Sequence, residues 1–217
     1  MAYIDHNGLF WSEPGDVLSV EHELRPHDYG ALIGGHPEIL VWHLTGNRIP
    51  EGCEAASCDG TDGMVDRIEA EAARYYAHAY LGRGGEFNQV VPFTHAAIHV
   101  AGKWKGSEVN RISTGIEVTN LGYAHADDGD APGFKVDPAR ADLRPHGKLT
   151  WQMLTTAQNS AIIEIAEAWM LWSQRPVEDC LRGHHDVDLD SSHIDPGPEL
   201  RAFLDGPVKA HLERVAA

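Results

Sequence analysis

The sequence predicts an α/β protein in which a mixed central β-sheet is flanked by α-helices. Three observations lead there. Ile39 to Leu44 reads Ile-Leu-Val-Trp-His-Leu, a short apolar run holding one histidine, which is the pattern of a buried central strand. Thr114 to Thr119 carries β-branched residues bracketed by glycine and asparagine, which suits a further strand. Leu149 to Ser173 is apolar on nearly every face around Ile162, Ile163, Ile165, Trp169 and Trp172, so it predicts a helix lying across a sheet.

The remaining elements follow in chain order. The first strand ends at Thr45-Gly46-Asn47, and Asp62 can cap a helix to about Arg74, with Val65, Ile68 and Ala72 at helical spacing. Beyond it the period changes: Tyr75 to Leu81 and Glu86 to Phe93 flank Gly82-Arg83-Gly84-Gly85 and read as a hairpin with a glycine-rich turn. Ala96 to Val100 is expected to be another strand, and Tyr123 to Lys148 a loop. Pro176 stops the long helix, because proline lacks an amide N–H and its ring clashes with the preceding turn. Gly183 to Pro198 is polar and turn-rich, and a last helix opens at Pro198 or Glu199 and runs to about Val215. No repeat, low-complexity tract or linker appears, so the chain divides into an N-terminal extension, residues 1–37, and one domain, residues 38–217.

Composition narrows the function classes. With 33 acidic against 17 basic residues the formal charge is -16, a field that repels phosphates, so no nucleic-acid partner is expected and a neutral or cationic ligand fits better. No stretch approaches the roughly 18 uncharged apolar residues of a membrane-spanning helix, so no membrane insertion is expected. Acidic residues from Asp5 to Asp28 interrupt the segment where a signal peptide would need an apolar run, which predicts a cytoplasmic protein. Cys53, Cys58 and Cys180 are an odd number and build no full disulfide framework; three reduced thiols and a local Cys53–Cys58 bridge both stay open. The 14 histidines make a metal site worth seeking, since imidazole is the commonest zinc ligand.

Three places carry chemistry: His43 in an apolar strand, Glu117 in another, and Gly183-His184-His185-Asp186 followed by His193-Ile194-Asp195-Pro196. A buried carboxylate or imidazole costs several kcal/mol unless a partner or a metal compensates. Taken alone, His43 also fits a hydrogen-bonded core histidine, and Glu117 a solvent-facing strand residue. The C-terminal loop is more informative, because its Asp-Pro-Gly-Pro turn can hold several ligands at one point. A catalytic zinc needs three protein ligands and an open position, which this loop and the distant His43 can supply.

Several segments, in order, resemble the zinc N-acetylmuramoyl-L-alanine amidases of the AmpD type, a family related to amidase-type phage lysozymes and peptidoglycan recognition proteins. Val41-Trp42-His43-Leu44-Thr45 is similar to the family's first-strand histidine motif, and Tyr76 to Glu86 followed by Val91-Pro92-Phe93 to its central hairpin. His99-Val100-Ala101-Gly102 resembles the His-Ala-Gly element with one extra residue. Asn110 to Glu117 resembles the Asn-x-x-Ser-Ile-Gly-Ile-Glu strand, and Gly183-His184-His185-Asp186 with Asp195-Pro196-Gly197-Pro198 the closing metal loop. The resemblance spans roughly residues 38 to 205.

The resemblance implies that zinc is held by His43, His184 and Asp195, that Glu117 is the catalytic base, and that His193 stands where the family usually has a lysine. It implies hydrolysis of the amide between N-acetylmuramic acid and L-alanine in peptidoglycan or muropeptides, with His99, Asn110 and Asn120 as substrate or supporting contacts. Cys53 and Cys58 fall where recognition proteins have a small disulfide loop. Two other readings stand beside this one: a non-catalytic peptidoglycan-binding module on the same fold, and a zinc-stabilised structural domain or unrelated metallohydrolase. A phage lysin reaching the wall through a membrane pore is the alternative to a cytoplasmic enzyme recycling wall fragments.

Overall fold

The computed structural model describes residues 2–13, 18–22, 24, 30–44, 77–120, 123–125, 143–146, 149–188 and 195–217. Its first elements are the short strands β1 (Tyr3–Ile4) and β2 (Phe10–Trp11), then β3 (Ser19–His22), β4 (Ile39–Leu44), β5 (Ala79–Leu81) and β6 (Glu86–Gln89). A small ribbon, β7 (Lys103–Trp104) and β8 (Ser107–Glu108), precedes β9 (Ser113–Val118), β10 (Tyr123–His125), β11 (Leu143–His146) and β12 (Leu149–Gln152). Helix α1 (Thr156–Ser173) leads to β13 (Arg182–Gly183), the single turn α2 (His184–Val187), α3 (Gly197–Phe203) and α4 (Lys209–Ala216). Among the described residues, six strands form the central sheet in the order β13-β4-β9-β5-β6-β3. Within it only β5 and β6, the glycine-turn hairpin, pair antiparallel, so the sheet is mixed as the sequence predicts.

Period-two alternation gives the sheet two faces with different tasks. Leu40, Trp42, Ile116, Val118, Ala79, Leu81 and Phe87 share one face and pack with Ala161, Ile162, Ile165 and Trp169 of α1 and with Leu200, Leu204, Val208 and Leu212 of the C-terminal helices. Burial of each large apolar side chain contributes about 1.5–3 kcal/mol. Polar tips that enter this core are satisfied: Trp169 Nε1 donates to Thr114 Oγ1 (3.0 Å) and Trp42 Nε1 to the Cys180 carbonyl (2.8 Å). Cys180 is a buried free thiol, its pKa pushed up to about 12 by burial and the nearby Asp179 and Glu178 carboxylates. The opposite face presents His43, Glu117, Tyr80 and Asn88 in one row across neighbouring strands.

Part of the N-terminal 37 residues completes this sheet. β3 pairs in parallel with β6, and Phe10 is fully buried with its ring 4.9 Å from that of Phe87. The Phe10 amide donates to Gln89 Oε1 (2.8 Å), and Gln89 Nε2 donates to the Gly8 carbonyl (2.7 Å).

Four expectations are corrected. The long helix begins at Thr156 rather than Leu149, because Leu149–Gln152 is the middle strand of a second sheet, β10-β12-β11. Tyr123 to Lys148, expected as loop, supplies the other two strands; Pro145 is tolerated in β11 because that strand is an edge. Ala96 to Val100 is not a strand: the amides of His99 and Val100 both donate to Asn110 Oδ1 (2.9 Å each) instead of to a ladder. The turn-rich Gly183 to Pro198 segment contains β13 and α2. The last helical stretch winds more widely over Leu204–Val208, where Pro207 has no N–H to offer a regular helix. The helix expected from Asp62 to Arg74, and Cys53 and Cys58, lie outside the described residues.

The true start of α1 has a local cause. Thr155 Oγ1 accepts the Gln158 amide (3.0 Å) while Gln158 Oε1 accepts the Thr155 amide (3.1 Å), a reciprocal capping box. The Thr155 hydroxyl also donates to the Arg83 carbonyl (2.6 Å), fixing the helix start to the hairpin turn. Thr155→Ala is expected to cost about 1–2 kcal/mol, seen as a lower urea midpoint with unchanged slope.

Candidate metal centre

The parallel pairing of β13 with β4 sets Gly183 beside Trp42, so the next residues along each strand, His184 and His43, come side by side. Asp195 arrives from the turn that opens α3, and ligand atoms of the three residues all lie within 4.8 Å of one another. His43 Nδ1 stands 3.1 Å from Asp195 Oδ2 and 3.2 Å from His184 Nδ1, and His184 Nδ1 is 3.4 Å from Asp195 Oδ2. Donor atoms of a tetrahedral zinc at about 2.0–2.1 Å are separated by about 3.3 Å, so this triangle has the size of one face of such a site.

Each ligand is held from behind. Asp195 Oδ1 accepts the Leu44 amide (2.6 Å), and the Asp195 carbonyl accepts the His185 amide (3.1 Å). Burial raises the proton affinity of the Asp195 carboxyl, but the two imidazoles and the Leu44 amide lower it by more, leaving it below the usual carboxylate range and ionised. His184 Nε2 faces the Asp188 carboxylate at 3.6 Å, which orients Nδ1 toward the centre. His43 Nε2 is 2.9 Å from His99 Nδ1, and His99 Nε2 is 2.9 Å from Ser113 Oγ. Burial holds the pKa of His99 well below that of a free imidazole, and the neighbouring His43, His78 and His184 add to this, so His99 is neutral. The Asp195 carboxylate and the two imidazole Nδ1 atoms face one point from three sides, hydrogen-bonded to one another there, and could turn their lone pairs on a cation at that point. The donor set of two nitrogens and one oxygen, arranged this way, fits zinc.

The structure places the other sequence-derived candidates as follows. Glu117 lies opposite His43 in register on β9 and is half-buried on the same sheet face. Asn110 holds the His99–Val100 backbone, and the buried Asn120 donates from Nδ2 to the Gln152 carbonyl (3.1 Å), joining the end of β9 to β12. His193 lies outside the described residues. Trp104 packs against Ile39, Val41, Val100, Val109 and Val187, with the Arg182 guanidinium 5.0 Å from its ring centroid.

Sequence reasoning did not assign roles to His78, Ser113, Trp151 or Arg201. His78 is fully buried; its Nε2 donates to the His95 carbonyl (2.8 Å) and its Nδ1 accepts the Gly115 amide (3.0 Å). Trp151 and Arg201 line a cleft of about 420 Å³ together with His185, Asp186, Asp195 and the Pro196-Gly197-Pro198 turn. Its volume is within the range of small-molecule sites. Gly183 is required where this turn passes, since a Cβ there would stand 2.3 Å from Pro196 Cδ.

Fold and site together define an α/β protein with a His-His-Asp cluster able to hold a cation at the carboxyl end of a parallel strand pair. The chain belongs to the N-acetylmuramoyl-L-alanine amidase family, whose Amidase_2 model matches residues 34–198, well over half of the sequence. No curated protein matches the sequence significantly. Among solved structures, a selenomethionine derivative of AmpD is similar with a TM-score of 0.52 and 20% identity, covering 85% of this chain and 94% of that one. Escherichia coli AmiD, solved with anhydro-N-acetylmuramic acid-L-Ala-D-γ-Glu-L-Lys, gives 0.52 and 19%, covering 90% of this chain and 61% of that one. A point mutant of PlyL gives 0.52 and 15%, covering 92% of this chain and 99% of that one. At these identities the likeness is one of fold.

Proposed function

We propose that this protein is a zinc-dependent hydrolase of the amide bond between N-acetylmuramic acid and L-alanine, acting on peptidoglycan or muropeptides. The observation that carries the reading is the convergence of His43, His184 and Asp195 in a chain that matches the amidase family from residue 34 to 198. Zinc, when bound, supplies Lewis acidity that activates water near neutral pH and polarises a carbonyl. His43, His184 and Asp195 would hold it, leaving a fourth position for the reactants.

The chain's own groups do the rest. Glu117, in the row beside His43, is the general base: it accepts a proton from the attacking water and later returns one to the leaving L-alanine amine. His193, two residues before Asp195 in sequence, is the hydrogen-bond donor for charge developing on the carbonyl oxygen. Asn110 and Asn120 act behind the site by fixing the His99 loop and the end of β9. The net charge of -16 and the absence, among the described residues, of a helix long and apolar enough to cross a membrane favour a wall polymer or its fragments over a nucleic acid or lipid surface. Cytoplasmic recycling of fragments and action as a phage lysin are both compatible with this chemistry.

The test is mass spectrometry of a muramoyl-L-alanyl peptide incubated with purified protein, with and without a zinc chelator. Release of a peptide beginning at L-alanine is expected, lost on chelation and restored by zinc. Intact substrate in a folded, zinc-loaded sample would overturn the assignment and favour a binding module.

A further inference from the structure

The donors and acceptors behind His43 can be ordered from one fixed end. The Val109 carbonyl only accepts, so the Ser113 hydroxyl, 2.6 Å away, donates its one proton there. Ser113 Oγ can then only accept from His99, so the proton of the His99 ring is on Nε2, at 2.9 Å. A neutral imidazole has one N–H, which leaves His99 Nδ1 as an acceptor. The nitrogen facing it at 2.9 Å, His43 Nε2, must carry the proton, which leaves Nδ1, the atom that faces His184 and Asp195, as the nitrogen open to a metal in place of its contact with the Asp195 carboxylate.

The His99 ring has little freedom to break this order. The amides of His99 and of Val100 are both tied to Asn110 Oδ1, and a Cβ at Gly115 would stand 2.5 Å from His99 Cγ and Nδ1, so the ring fills the space that a glycine leaves on β9. Ser113 itself is fully buried and lies in register with Ile39 of β4. The line therefore begins at a backbone carbonyl in the helical turn just before β9 and ends at the candidate metal face.

We propose that Ser113, acting through His99, is a positioning residue that fixes the tautomer of His43 so that Nδ1 is the nitrogen offered to the metal. The part of this proposal that concerns the metal rests on the amidase reading above; the order of protons does not. It also gives a physical reason for a serine at this strand position: a hydroxyl can pass a donor role from a carbonyl to an imidazole, which alanine or valine at the same place cannot do.

The experiment is long-range proton–nitrogen NMR on metal-free protein labelled with ¹⁵N-histidine, combined with zinc competition against a chromophoric chelator. In the wild-type apoprotein His43 Nε2 and His99 Nε2 are each expected to carry a proton. A bare His43 Nε2 would overturn the proposal, and this measurement needs no variant. In Ser113→Ala the His99 tautomer is released, and zinc affinity is expected to fall about 10–100-fold, the range for loss of an outer partner of a ligating histidine. His99→Asn, which retains an acceptor near the Nδ1 position, is expected to bind zinc more tightly than His99→Leu. Unchanged zinc affinity in Ser113→Ala would also overturn it. A wild-type protein that takes no zinc yet shows the proton on His43 Nε2 would remove the amidase reading and leave the ordered hydrogen-bond line standing.

Discussion

Glu117→Gln is expected to lower kcat on a muramoyl-L-alanyl peptide by about 10²–10⁴-fold, the usual contribution of a positioned general base. Glutamine matches the size of glutamate and preserves the β9 packing, but its amide cannot take a proton from water. Glu117 and His43 are opposite each other in register on adjacent strands, so the substitution changes the proton acceptor without touching His43, His184 or Asp195. Zinc content and thermal midpoint are therefore expected to stay at the wild-type level. The acidic limb of the pH profile of kcat/KM, which a carboxylate base produces on protonation, is expected to disappear from the residual activity. Activity within a few-fold of wild type would take the base role away from Glu117. Loss of zinc along with activity would make the carboxylate part of the metal site.

The four inner strands of the central sheet, β4, β9, β5 and β6, were legible in the sequence because they are largely buried on both sides and a continuous apolar run bounded by turn residues leaves little choice. The edge strands β3 and β13 were not legible. Ile39–Leu44 forms with the bounds the sequence predicts, and the Gly82 to Gly85 turn joins an antiparallel pair. The second sheet was not legible. Its strands are short and mostly polar, and Leu149 to Gln152 continues without a break in hydropathy into the helix that follows. The signal that separates them is Thr155-x-x-Gln158, a capping box three residues beyond the strand, which outweighs the apolar periodicity upstream.

The candidate metal-holding residues stood out for a different reason. His43 and the His184 to Asp195 loop are conspicuous by residue type, and the resemblance of ordered motifs joined them across the chain. What sits behind them was not, because hydrogen-bond order is a property of contacts far apart in sequence. His99 and Ser113 are 14 residues apart, and His43 and His99 are 56 apart. Ala96 to Val100 looked like a strand, whereas the Asn110 side chain takes its amides and turns the His99 ring onto His43. A glycine in β9 reads as a weak strand former, yet Gly115 is where that ring has to fit.

Removing the metal is expected to have the largest effect on stability. His43, His184 and Asp195 bring three possible ligand atoms to one point only in the folded chain, so zinc held there would bind the native state and not the unfolded chain, in which these residues are far apart. At a free zinc concentration 1,000 times Kd, such linkage contributes about 4 kcal/mol. A chain of this size shifts in Tm by about 2–4 °C per kcal/mol, so chelation is expected to lower Tm by about 8–16 °C. Asp195→Ala should abolish the shift, because it removes one ligand and also the acceptor of the Leu44 amide that fixes the end of β4. Its own Tm is expected to equal or fall below that of chelated wild type and to be insensitive to added zinc. A zinc-dependent shift that survives Asp195→Ala would place the metal elsewhere in the chain. No shift in wild type would mean that the three residues are a hydrogen-bonded cluster, and Glu117 would then have no activated water to serve.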